Sequence, residues 1–372
     1  MFHEAWGLMD QNFYDVDFHG VDWKAKRDYY ASFLPYVRNR ANLVTLVNDM
    51  LGELNSSHLG FSSRGREQTQ PQTRMFTMET GIVWDNANPY TVAAVVAGSP
   101  VDNIDTDIRK GDELVAVNGT RVVKSQNRES YMTSAIREPE MKLTFSRKGK
   151  EFDVKVHTIS YGELKNLLYG EWEENCRQLV EKKGKGRIAY THMRDMGAGE
   201  LERFLIDMHT RTAGKEAIIL DLRFNNGGNV HKEVLDFLGQ KAHYNWGFRD
   251  NKTNSHPNVT PGNMPVIALI NERSLSDAEV TSNGIKSLGL ATIVGTETYR
   301  WVIFTSGASM IDGSSLRLPA WGCYSLDGKD LERTGVAPDI YVRNTFKDRL
   351  EGKDPQLEKG IEEALRQLDK KN

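Results

Sequence analysis

The sequence predicts an α/β protein built from three consecutive parts. Residues 1–65 carry apolar residues at three- and four-residue spacing, which is typical of helices. Residues 66–160 change to short apolar runs separated by Gly, Asn and Pro, which indicates a small inserted β domain. Residues 161–372 alternate helical patterns with buried strands, which predicts a layered α/β domain with a mainly parallel sheet.

The first part is predicted to be helical from its first residues. Phe2, Trp6, Met9 and Phe13 share one face of an N-terminal amphipathic helix. Two further periodic patterns follow, DWKAKRDYYASFLPYV and RANLVTLVNDMLGELN, and the second stops at the polar turn NSSHLGF. The stretch SSRGREQTQPQTR then indicates an exposed linker.

The middle part resembles the centre of a PDZ domain over residues 96–119, VAGSPVDNIDTDIRKGDELVAVNG. A Ser-Pro helix start, a Lys-Gly-Asp turn and an Asn-Gly hairpin follow one another in the order that such a domain requires. The resemblance implies that the backbone at Thr80, Gly81 and Ile82 receives the terminal carboxylate of a peptide, which adds as a strand. A small β domain that binds no peptide is the alternative.

In the third part, helical and strand patterns alternate in a regular order. Helices are predicted at LKNLLYGEWEENCRQLVEKK, GELERFLIDMHTR, VHKEVLDFLGQ and SDAEVTSNGIKSLG. Strands are predicted between and after them at GRIAYTHM, EAIILDLRF, PVIALI and ATIVG, and a tail helix at QLEKGIEEALRQLDKK. The carboxyl ends of parallel strands gather at one edge of such a sheet, where ligands bind.

Charge and hydropathy exclude several classes of protein. The net charge of −3 and a pI near 6.3, with no dense basic run, argue against a nucleic-acid binder. No stretch approaches the roughly 18 consecutive apolar residues of a membrane span, and the N-terminus lacks a signal peptide's basic start and apolar core. We expect a cytoplasmic location. The periplasm stays open if the chain is a segment of a longer protein without its signal, and beginning inside a helix is typical of such a segment.

The two cysteines exclude one kind of site. Cys176 lies in a charged helical pattern and Cys323 in WGCYS, so neither belongs to a metal-binding spacing. Two buried free thiols are favoured over a disulfide. No metal or nucleotide cofactor is implied.

Ser276 stands where a strand runs directly into a helix. The apolar run VIALI ends in NERSLSDAE, and the helical pattern begins at once. At such a turn a serine hydroxyl can attack a carbonyl while the N–H of Asp277 holds the oxyanion, because the helix terminus favours negative charge. The segment alone favours a cap instead, since Ser276 and Glu279 have the spacing of a capping box.

A second strand ends in DLRFNNGG, residues 221–228. Its paired glycines let the backbone approach a ligand closely. A serine at one strand end and paired glycines at another are what an acyl-transfer site requires. A tight turn into the next helix explains Gly227 and Gly228 equally well from this segment alone.

A serine nucleophile needs a base. The stretch VGTETYRWVIFTSG after the serine offers only Arg300, which cannot act as a base at neutral pH. Of the nine histidines, His58 lies at a helix-ending polar turn, whereas His192 lies within an apolar strand and is predicted to be structural. Taken alone, His58 is an ordinary surface or capping histidine.

Several stretches together resemble the catalytic core of the tricorn protease family, within the wider class of tail-specific, C-terminal processing serine peptidases. The resemblance covers nearly the whole chain and implies a crotonase/ClpP-like α/β core. DLRFNNGG and SDAE are shared across the wider class, while SSHLGF and DLERTGVAPD are similar to the tricorn branch, whose base is His. The other matching stretches, in chain order around the PDZ-like insert, are HGVDWKAKRDYY, MLGELNSSHLGF and DGSSLRLPAWGCYSLDGK.

The resemblance implies a role for each member of a catalytic group. Ser276 would be the nucleophile and His58 the general base. Glu332 would orient the imidazole, and Ser57 would join the hydrogen-bond chain between Glu332 and His58. Taken alone, Glu332 is a solvated loop charge, so its assignment depends on the resemblance.

The resemblance also implies residues that contact the substrate. The oxyanion donors would be the N–H groups of Asp277 and of Gly227 or Gly228, with Gly227 preferred. Relatives carry an acidic residue in the main specificity pocket, and in QKAHYNWGFRD the spacing points nearer to Asn245 than to Asp250. A preference for basic side chains is therefore not predicted.

Two further features depart from the family pattern. The family usually has a glycine-rich stretch soon after the nucleophile helix, where this chain has Tyr299, Arg300 and Trp301. Such bulky residues narrow a channel or change what it accepts. Full-length tricorn proteins also carry large β-propellers before this core, and this sequence has none.

The sequence is therefore interpreted as a serine endopeptidase or oligopeptidase that acts on peptides or unfolded polypeptides. One alternative is a peptide-binding scaffold that keeps the PDZ-like domain without hydrolysis. Another is a crotonase-like acyl-CoA enzyme, in which His58 and Ser276 would be dispensable. Relatives assemble into rings, so a homo-oligomer is expected from the resemblance, with neither a nucleic acid nor a membrane as partner.

Overall fold

The computed structural model describes residues 1–63, 75–103, 107–249, 251–259 and 261–371. The chain divides into two compact units, one formed by Met1–Thr69 with Arg177–Asn372 and the other by Gln70–Cys176. The helical part and the α/β part thus share one unit. Most of the predicted linker, residues 64–74, lies outside the described residues. Within the described ranges, no helix combines the length and apolarity needed to cross a bilayer.

The helices and strands fall close to the predicted segments. The helices are α1 (Phe2–Asn12), α2 (Trp23–Ala31), α3 (Arg40–Gly52), α4 (Tyr161–Lys183), α5 (Ala198–Arg211), α6 (His231–Leu238), α7 (Asp277–Leu288), α8 (Leu331–Thr334), α9 (Phe346–Leu350) and α10 (Pro355–Lys371). The strands are β1 (Gly60–Ser62), β2 (Phe76–Thr77), β3 (Ile82–Trp84), β4 (Val92–Val95), β5 (Glu113–Val117), β6 (Thr120–Arg121), β7 (Thr133–Ser134), β8 (Glu140–Arg147), β9 (Lys150–His157), β10 (Ile188–His192), β11 (Ala217–Asp221), β12 (Tyr244–Phe248), β13 (Asn251–His256), β14 (Val266–Ile270), β15 (Thr292–Gly295), β16 (Phe304–Ser309), β17 (Ser315–Trp321) and β18 (Ile340–Tyr341).

A five-stranded parallel sheet forms the centre of the larger unit, in the order β10-β11-β14-β15-β18. Every residue of β10, β11 and β14 is buried, which explains their continuous apolar sequences. Helices α5, α6 and α7 cover one apolar core against this sheet, through residues such as Phe204, Val234 and Ile285. The predicted α/β fold class with a mainly parallel sheet is confirmed.

The N-terminal helices pack on a second, antiparallel sheet of the same unit, in the order β1-β17-β16. The predicted apolar face of α1 is buried at Phe2, Met9 and Phe13. These side chains share a core with Leu316 and Leu318 of β17. Strand β1 begins two residues after His58. The pairing of β1 with β17 therefore places the NSSHLGF turn beside the α/β part.

The smaller unit is rich in β-structure, as predicted. Strands β5, β6, β8 and β9 form a four-stranded antiparallel sheet, and β3 pairs with β4. Their inward residues, among them Ile82, Leu114, Leu143 and Phe145, form one apolar core. The unit therefore has a hydrophobic centre of its own.

Asn48 of α3 holds β1 in place from the edge that does not face β17. Its side-chain Oδ1 accepts a hydrogen bond from the Phe61 N–H at 2.8 Å, and its Nδ2 donates to the Phe61 carbonyl at 2.9 Å. Phe61 is 3% exposed, so water cannot readily replace these bonds. The amide of Asn48 thus acts as an additional strand partner for Phe61.

Replacing Asn48 by alanine should destabilise the larger unit. Asn48→Ala leaves a buried N–H and a buried carbonyl of Phe61 without partners, so we expect the free energy of unfolding to fall by about 2 kcal/mol. Urea denaturation followed by circular dichroism measures this loss. Thr45→Ala, on the exposed side of the same helix, is the matched control and should stay within about 0.5 kcal/mol of wild type. An equal loss in both variants would contradict the role given to Asn48.

Candidate active site

The ends of β11 and β14 are joined by buried polar side chains. Ser274, 0% exposed, donates from Oγ to the Leu222 carbonyl at 2.8 Å and accepts from the Asn271 N–H at 3.0 Å. The carboxamide of Asn271 accepts from the Phe224 N–H at 3.1 Å. Both strand ends are therefore fixed relative to each other, and Ser274 is a structural residue.

Ser276 occupies a strained turn at the N-terminus of α7. Its backbone has φ 52° and ψ −114°, a conformation that a residue with a side chain rarely adopts. Its N–H donates to the Glu279 carboxylate at 3.1 Å, which is the Glu279 half of the predicted capping box. Strain of this kind is typical of a nucleophile presented at a strand-to-helix turn.

Close packing at this turn leaves no room for a side chain on either of the paired glycines. A Cβ on Gly227, whose φ is 75°, would lie 2.6 Å from the Ser276 Cβ and 3.0 Å from the Leu275 carbonyl oxygen. A Cβ on Gly228 would lie 2.1 Å from the Met196 carbonyl oxygen. The NNGG turn thus brings its backbone into direct contact with the nucleophile segment.

Backbone hydrogen bonding distinguishes the two glycines. The Gly227 N–H donates to Asn225 Oδ1 at 2.9 Å, and Asn225 is 0% exposed. Among the described residues, the N–H groups of Gly228 and Asp277 have no hydrogen-bond partner. The Gly227 N–H is therefore already used, which counts against Gly227 as the predicted oxyanion donor, whereas the N–H of Gly228 is available to a ligand.

The Asp277 carboxylate fixes the segment that follows the glycines. Its Oδ2 accepts from the N–H groups of Val230 at 2.7 Å and His231 at 3.0 Å, at the start of α6. Its Oδ1 lies 2.6 Å from the His231 Nδ1. Asp277 is 3% exposed, so one buried side chain links the N-termini of α6 and α7.

A continuous hydrogen-bond chain connects Glu332, Ser57 and His58. The Ser57 Oγ lies 2.6 Å from His58 Nδ1 and donates to Glu332 Oε2 at 3.1 Å. Glu332 Oε1 accepts from the Ser57 N–H at 2.6 Å, and Oε2 accepts from the Val302 N–H at 2.8 Å. A carboxylate only accepts, so the Ser57 hydroxyl must direct its proton to Glu332 and accept from His58 Nδ1–H. The Nε2 of neutral His58 is then the basic nitrogen.

The imidazole of His58 is half-buried beside the Trp301 indole. The two ring centroids are 5.1 Å apart and the rings are tilted by 49°. Burial, and to a lesser extent the positive charge of Arg317, lowers the pKa of His58 to about 4. His58 is therefore neutral at physiological pH, which is the protonation state of a base.

Glu279 positions the bulky stretch that departed from the family pattern. Its carboxylate, 0% exposed, accepts from the N–H groups of Arg300 at 2.8 Å and Trp301 at 2.7 Å, and from Thr298 Oγ1 at 2.6 Å. Burial raises the pKa of Glu279, against the lowering effect of these hydrogen bonds. The same side chain that binds the Ser276 N–H thus also places Trp301 against His58.

Ser276 and His58 line one pocket of about 230 Å³. Its apolar lining residues are Val280, Val302, Ile303 and Phe304. The rest of the lining is Gly228, Asn229, Asp277, Thr305 and Arg317. The volume is below the roughly 300–1,000 Å³ of pockets for drug-sized ligands, so the pocket accepts only a small group at one time.

The remaining predicted contact residues lie elsewhere. Asn245 is exposed in the β12-β13 hairpin, where its Oδ1 accepts from Ser255 Oγ at 2.8 Å, and it does not line the pocket of Ser276. Its prediction as a specificity residue was wrong for this pocket, because the hairpin carries it outward. Asp250 lies outside the described residues. Thr80, Gly81 and Ile82 belong to the smaller unit, and the side chains of Thr80 and Ile82 are only 3% and 2% exposed.

The two cysteines and His192 agree with the sequence interpretation. Cys176 and Cys323 are both free, Cys176 buried and Cys323 half-buried. His192 is 1% exposed in β10, with Nδ1 at 2.9 Å from the Asp221 carbonyl, so it is structural as predicted.

Sequence reasoning missed three features of the site: Asn225, Glu279 as an anchor for Trp301, and Arg317. Asn225 was accessible from sequence, since an Asn two residues before a glycine commonly bonds that glycine's N–H. The positions of Trp301 and Arg317 depend on segments that only folding brings to His58.

Three family models match the chain. The Tricorn protease C1 domain matches residues 1–52, the PDZ domain 59–158, and Peptidase family S41 187–342. The crystal structure of the tricorn protease superposes with a TM-score of 0.83 at 25% identity, over 99% of this chain and 36% of that one.

Curated relatives extend the similarity to the whole chain. Tricorn protease homolog 1 of Streptomyces coelicolor is 29% identical over 99% of this chain and 35% of its own length. A tricorn-like protease C-terminal subunit of Sulfurisphaera tokodaii is 30% identical over 100% of this chain and 44% of its own length. The chain thus spans less than half the length of these relatives. With a Tricorn C1 domain, a PDZ domain and a Peptidase family S41 domain in that order, the chain has the make-up of a tricorn-like protease core.

Proposed function

We propose that this chain is a serine peptidase core in which Ser276 is the nucleophile and His58 the general base. The observation that carries the proposal is the chain from Glu332 through Ser57 to His58 Nδ1, which leaves His58 Nε2 basic in the pocket of Ser276. The Peptidase family S41 match over residues 187–342 supports the same chemistry. The substrates would be peptides or unfolded polypeptides, cleaved as by an endopeptidase or oligopeptidase.

The first step would form an acyl-enzyme. His58 Nε2 takes the proton from the Ser276 hydroxyl as its oxygen bonds to the carbonyl carbon of the scissile peptide. The imidazolium that results donates from Nδ1 to Ser57, whose hydroxyl donates to the Glu332 carboxylate. This arrangement stabilises the positive charge without moving a proton to Glu332.

The negative charge would develop on the carbonyl oxygen at the N-terminus of α7. The N–H groups of Gly228 and Asp277 supply two donors, and the helix dipole adds a favourable field. The His58 proton then passes to the leaving amine, and the C–N bond breaks. A water molecule, activated by His58, releases the acyl group and restores the Ser276 hydroxyl.

The PDZ domain is proposed to bind the C-terminal end of a peptide as an added strand. Among the described residues, β3 pairs only with β4, and Val83 of β3 is 36% exposed. Because Thr80 and Ile82 are buried, a peptide carboxylate would contact their backbone rather than their side chains. Assembly into a homo-oligomer is proposed from the relatives alone.

Substitution of the nucleophile should abolish covalent labelling without unfolding the protein. Ser276→Ala removes the only oxygen that the proposed mechanism makes nucleophilic, so we expect a fluorophosphonate probe to label wild type and not the variant. Labelling is measured by intact-protein mass spectrometry, and folding by circular dichroism.

Ser274→Ala is the matched control two residues away. It should lose stability, because the Ser274 hydroxyl makes two buried hydrogen bonds, yet it should still be labelled by the probe. Labelling of Ser276→Ala would reject Ser276 as the nucleophile. Ser276 would also be rejected if only Ser274→Ala, while still folded, lost its labelling.

Neutralising Glu332 should slow catalysis far more than it weakens binding. Glu332→Gln replaces one accepting oxygen by a donating NH₂ opposite the donors of Ser57 and Val302, so His58 loses its orienting chain. We expect kcat/KM for a peptide to fall about 100-fold or more, mainly through kcat. A fall confined to KM would contradict this role. Glu297→Gln, an exposed carboxylate paired with Arg300 at 2.8 Å, serves as the control.

The acid limit of activity should follow the pKa of His58. Protonated His58 cannot accept the Ser276 proton, so kcat/KM falls as pH drops through that pKa, which lies at about 4 rather than at 6.5. Trp301→Ala exposes the imidazole to water, raises its pKa and moves the acid limb to higher pH. The profile is measured from pH 3.5 to 9 with one neutral peptide. The exposed tryptophan of β17, in Trp321→Ala, is the control, and an unmoved limb in Trp301→Ala would contradict the shielding role.

A further inference from the structure

Arg317 forms part of the wall of the active-site pocket. It lies on β17, the middle strand of the β1-β17-β16 sheet, and lines the same pocket as Ser276 and His58. Its charge acts on His58 strongly enough to contribute to the lowered pKa of that imidazole. Arg317 therefore belongs to the pocket that holds Ser276 and His58.

The charge of Arg317 has no counter-ion among the described residues. Its Nε makes one long hydrogen bond, to Thr305 Oγ1 at 3.4 Å, and no carboxylate oxygen lies within 4.0 Å. Two other arginines near the site are paired: Arg300 with Glu297 at 2.8 Å and Arg333 with Asp330 at 3.7 Å. A guanidinium carries five N–H donors, so Arg317 keeps most of its hydrogen-bonding capacity.

The pocket offers no internal acid to satisfy it. Among the described lining residues, Asp277 is the only acid, and both of its oxygens are bonded to Val230 and His231. The oxygens of Asp277 are thus engaged elsewhere, and no carboxylate of the described lining pairs with Arg317. A basic side chain placed beside the guanidinium would be repelled by it, in contrast to the preference implied by the acidic specificity residue of relatives.

Open space lies on both sides of the Arg317 side chain. Its cross-strand neighbours are Gly60 on β1 and Gly307 on β16, which point to the same face. A Cβ on Gly60 would meet no atom within 4 Å, and one on Gly307 would meet only the Leu316 carbonyl oxygen at 3.9 Å. The two glycines thus leave a trough open on both sides of the Arg317 side chain.

We propose that Arg317 binds a carboxylate of the substrate next to the scissile bond, so that this chain prefers peptides with an acidic side chain or a free C-terminus at that place. The inference rests on the proposed peptidase function and names its substrate class. A planar guanidinium binds a carboxylate through two parallel N–H···O bonds, which gives orientation as well as affinity. The bound carboxylate would supply the counter-ion that the protein lacks.

Two series of peptides distinguish the two sources of the carboxylate, an acidic side chain and a free C-terminus. In the first series, Asp is compared with Asn at each position on either side of the cleaved bond, with both peptide ends blocked. In the second, a free C-terminus is compared with its amide, at increasing distance from the cleaved bond. For each pair, the ratio of kcat/KM values reports the preference for the charged group.

We expect wild type to favour the carboxylate peptide by about tenfold or more in at least one series. Preference in the first series assigns an acidic side chain, and preference in the second assigns a C-terminal carboxylate. In Arg317→Gln the ratio should fall to about 1, and in Arg317→Lys, which keeps a charge without the planar fork, it should be intermediate. Gly307→Val, which fills the trough without removing the charge, should raise KM for the preferred peptide.

The outcomes separate this inference from the peptidase proposal. Cleavage of all peptides with ratios near 1 in wild type, or an unchanged ratio in Arg317→Gln, would overturn the role of Arg317 and leave the peptidase proposal standing. Absence of both cleavage and fluorophosphonate labelling would overturn the peptidase proposal. In that case, fluorescence anisotropy with fluorescently labelled versions of the same peptides still tests the charge preference. The proposal then requires that Arg317→Gln bind the carboxylate peptide and the neutral peptide equally, unlike wild type.

Discussion

The arrangement of the site depends on the hydrogen bonds that the Glu332 carboxylate accepts. It accepts hydrogen bonds from the N–H and hydroxyl of Ser57, 275 residues away in sequence, and from the N–H of Val302. With 9% exposure, it has little access to water, so these three donors are its main compensation for burial. One charge therefore holds the turn that bears His58, the pocket wall at Val302 and its own helix α8 together. The pairing of β1 with β17 fixes the Phe61 end of this turn, and Glu332 fixes the Ser57 end.

A second buried carboxylate, Glu279, shares the N-terminus of α7 with Ser276. Glu279 takes the Ser276 N–H, so the capping requirement of the helix is met partly by Glu279. The strained backbone of Ser276 places its side chain in the pocket. The same carboxylate accepts two N–H groups from the stretch that ends in Trp301. The bulky residues that replace a glycine-rich segment are thus tied to the turn that carries Ser276, and Trp301 lies beside His58.

The fold was largely predictable from sequence because its elements have strong periodic patterns and clear turn residues. The apolar strands β10, β11 and β14 are buried on both faces, so VIALI and most of its neighbouring strand positions are apolar. The catalytic assignments came from resemblance, since no local pattern connects His58 with Glu332. The choice between Gly227 and Gly228 needed the bond to Asn225, and the outward position of Asn245 needed the β12-β13 hairpin. Such details depend on distances between segments, which periodicity does not encode.

Burial and the charge of Arg317 lower the pKa of His58 in different ways, and this difference affects how the proposed base would work with substrate bound. Trp301 removes water from the imidazole, an effect that a bound peptide would reinforce. Arg317 opposes the imidazolium by charge, an effect that a substrate carboxylate on the guanidinium would cancel. Under the proposed role of Arg317, binding of the right substrate therefore raises the basicity of His58 when the Ser276 proton must be taken. A neutral peptide would leave the repulsion in place, so discrimination would extend from binding to the chemical step and appear in kcat as well as in KM.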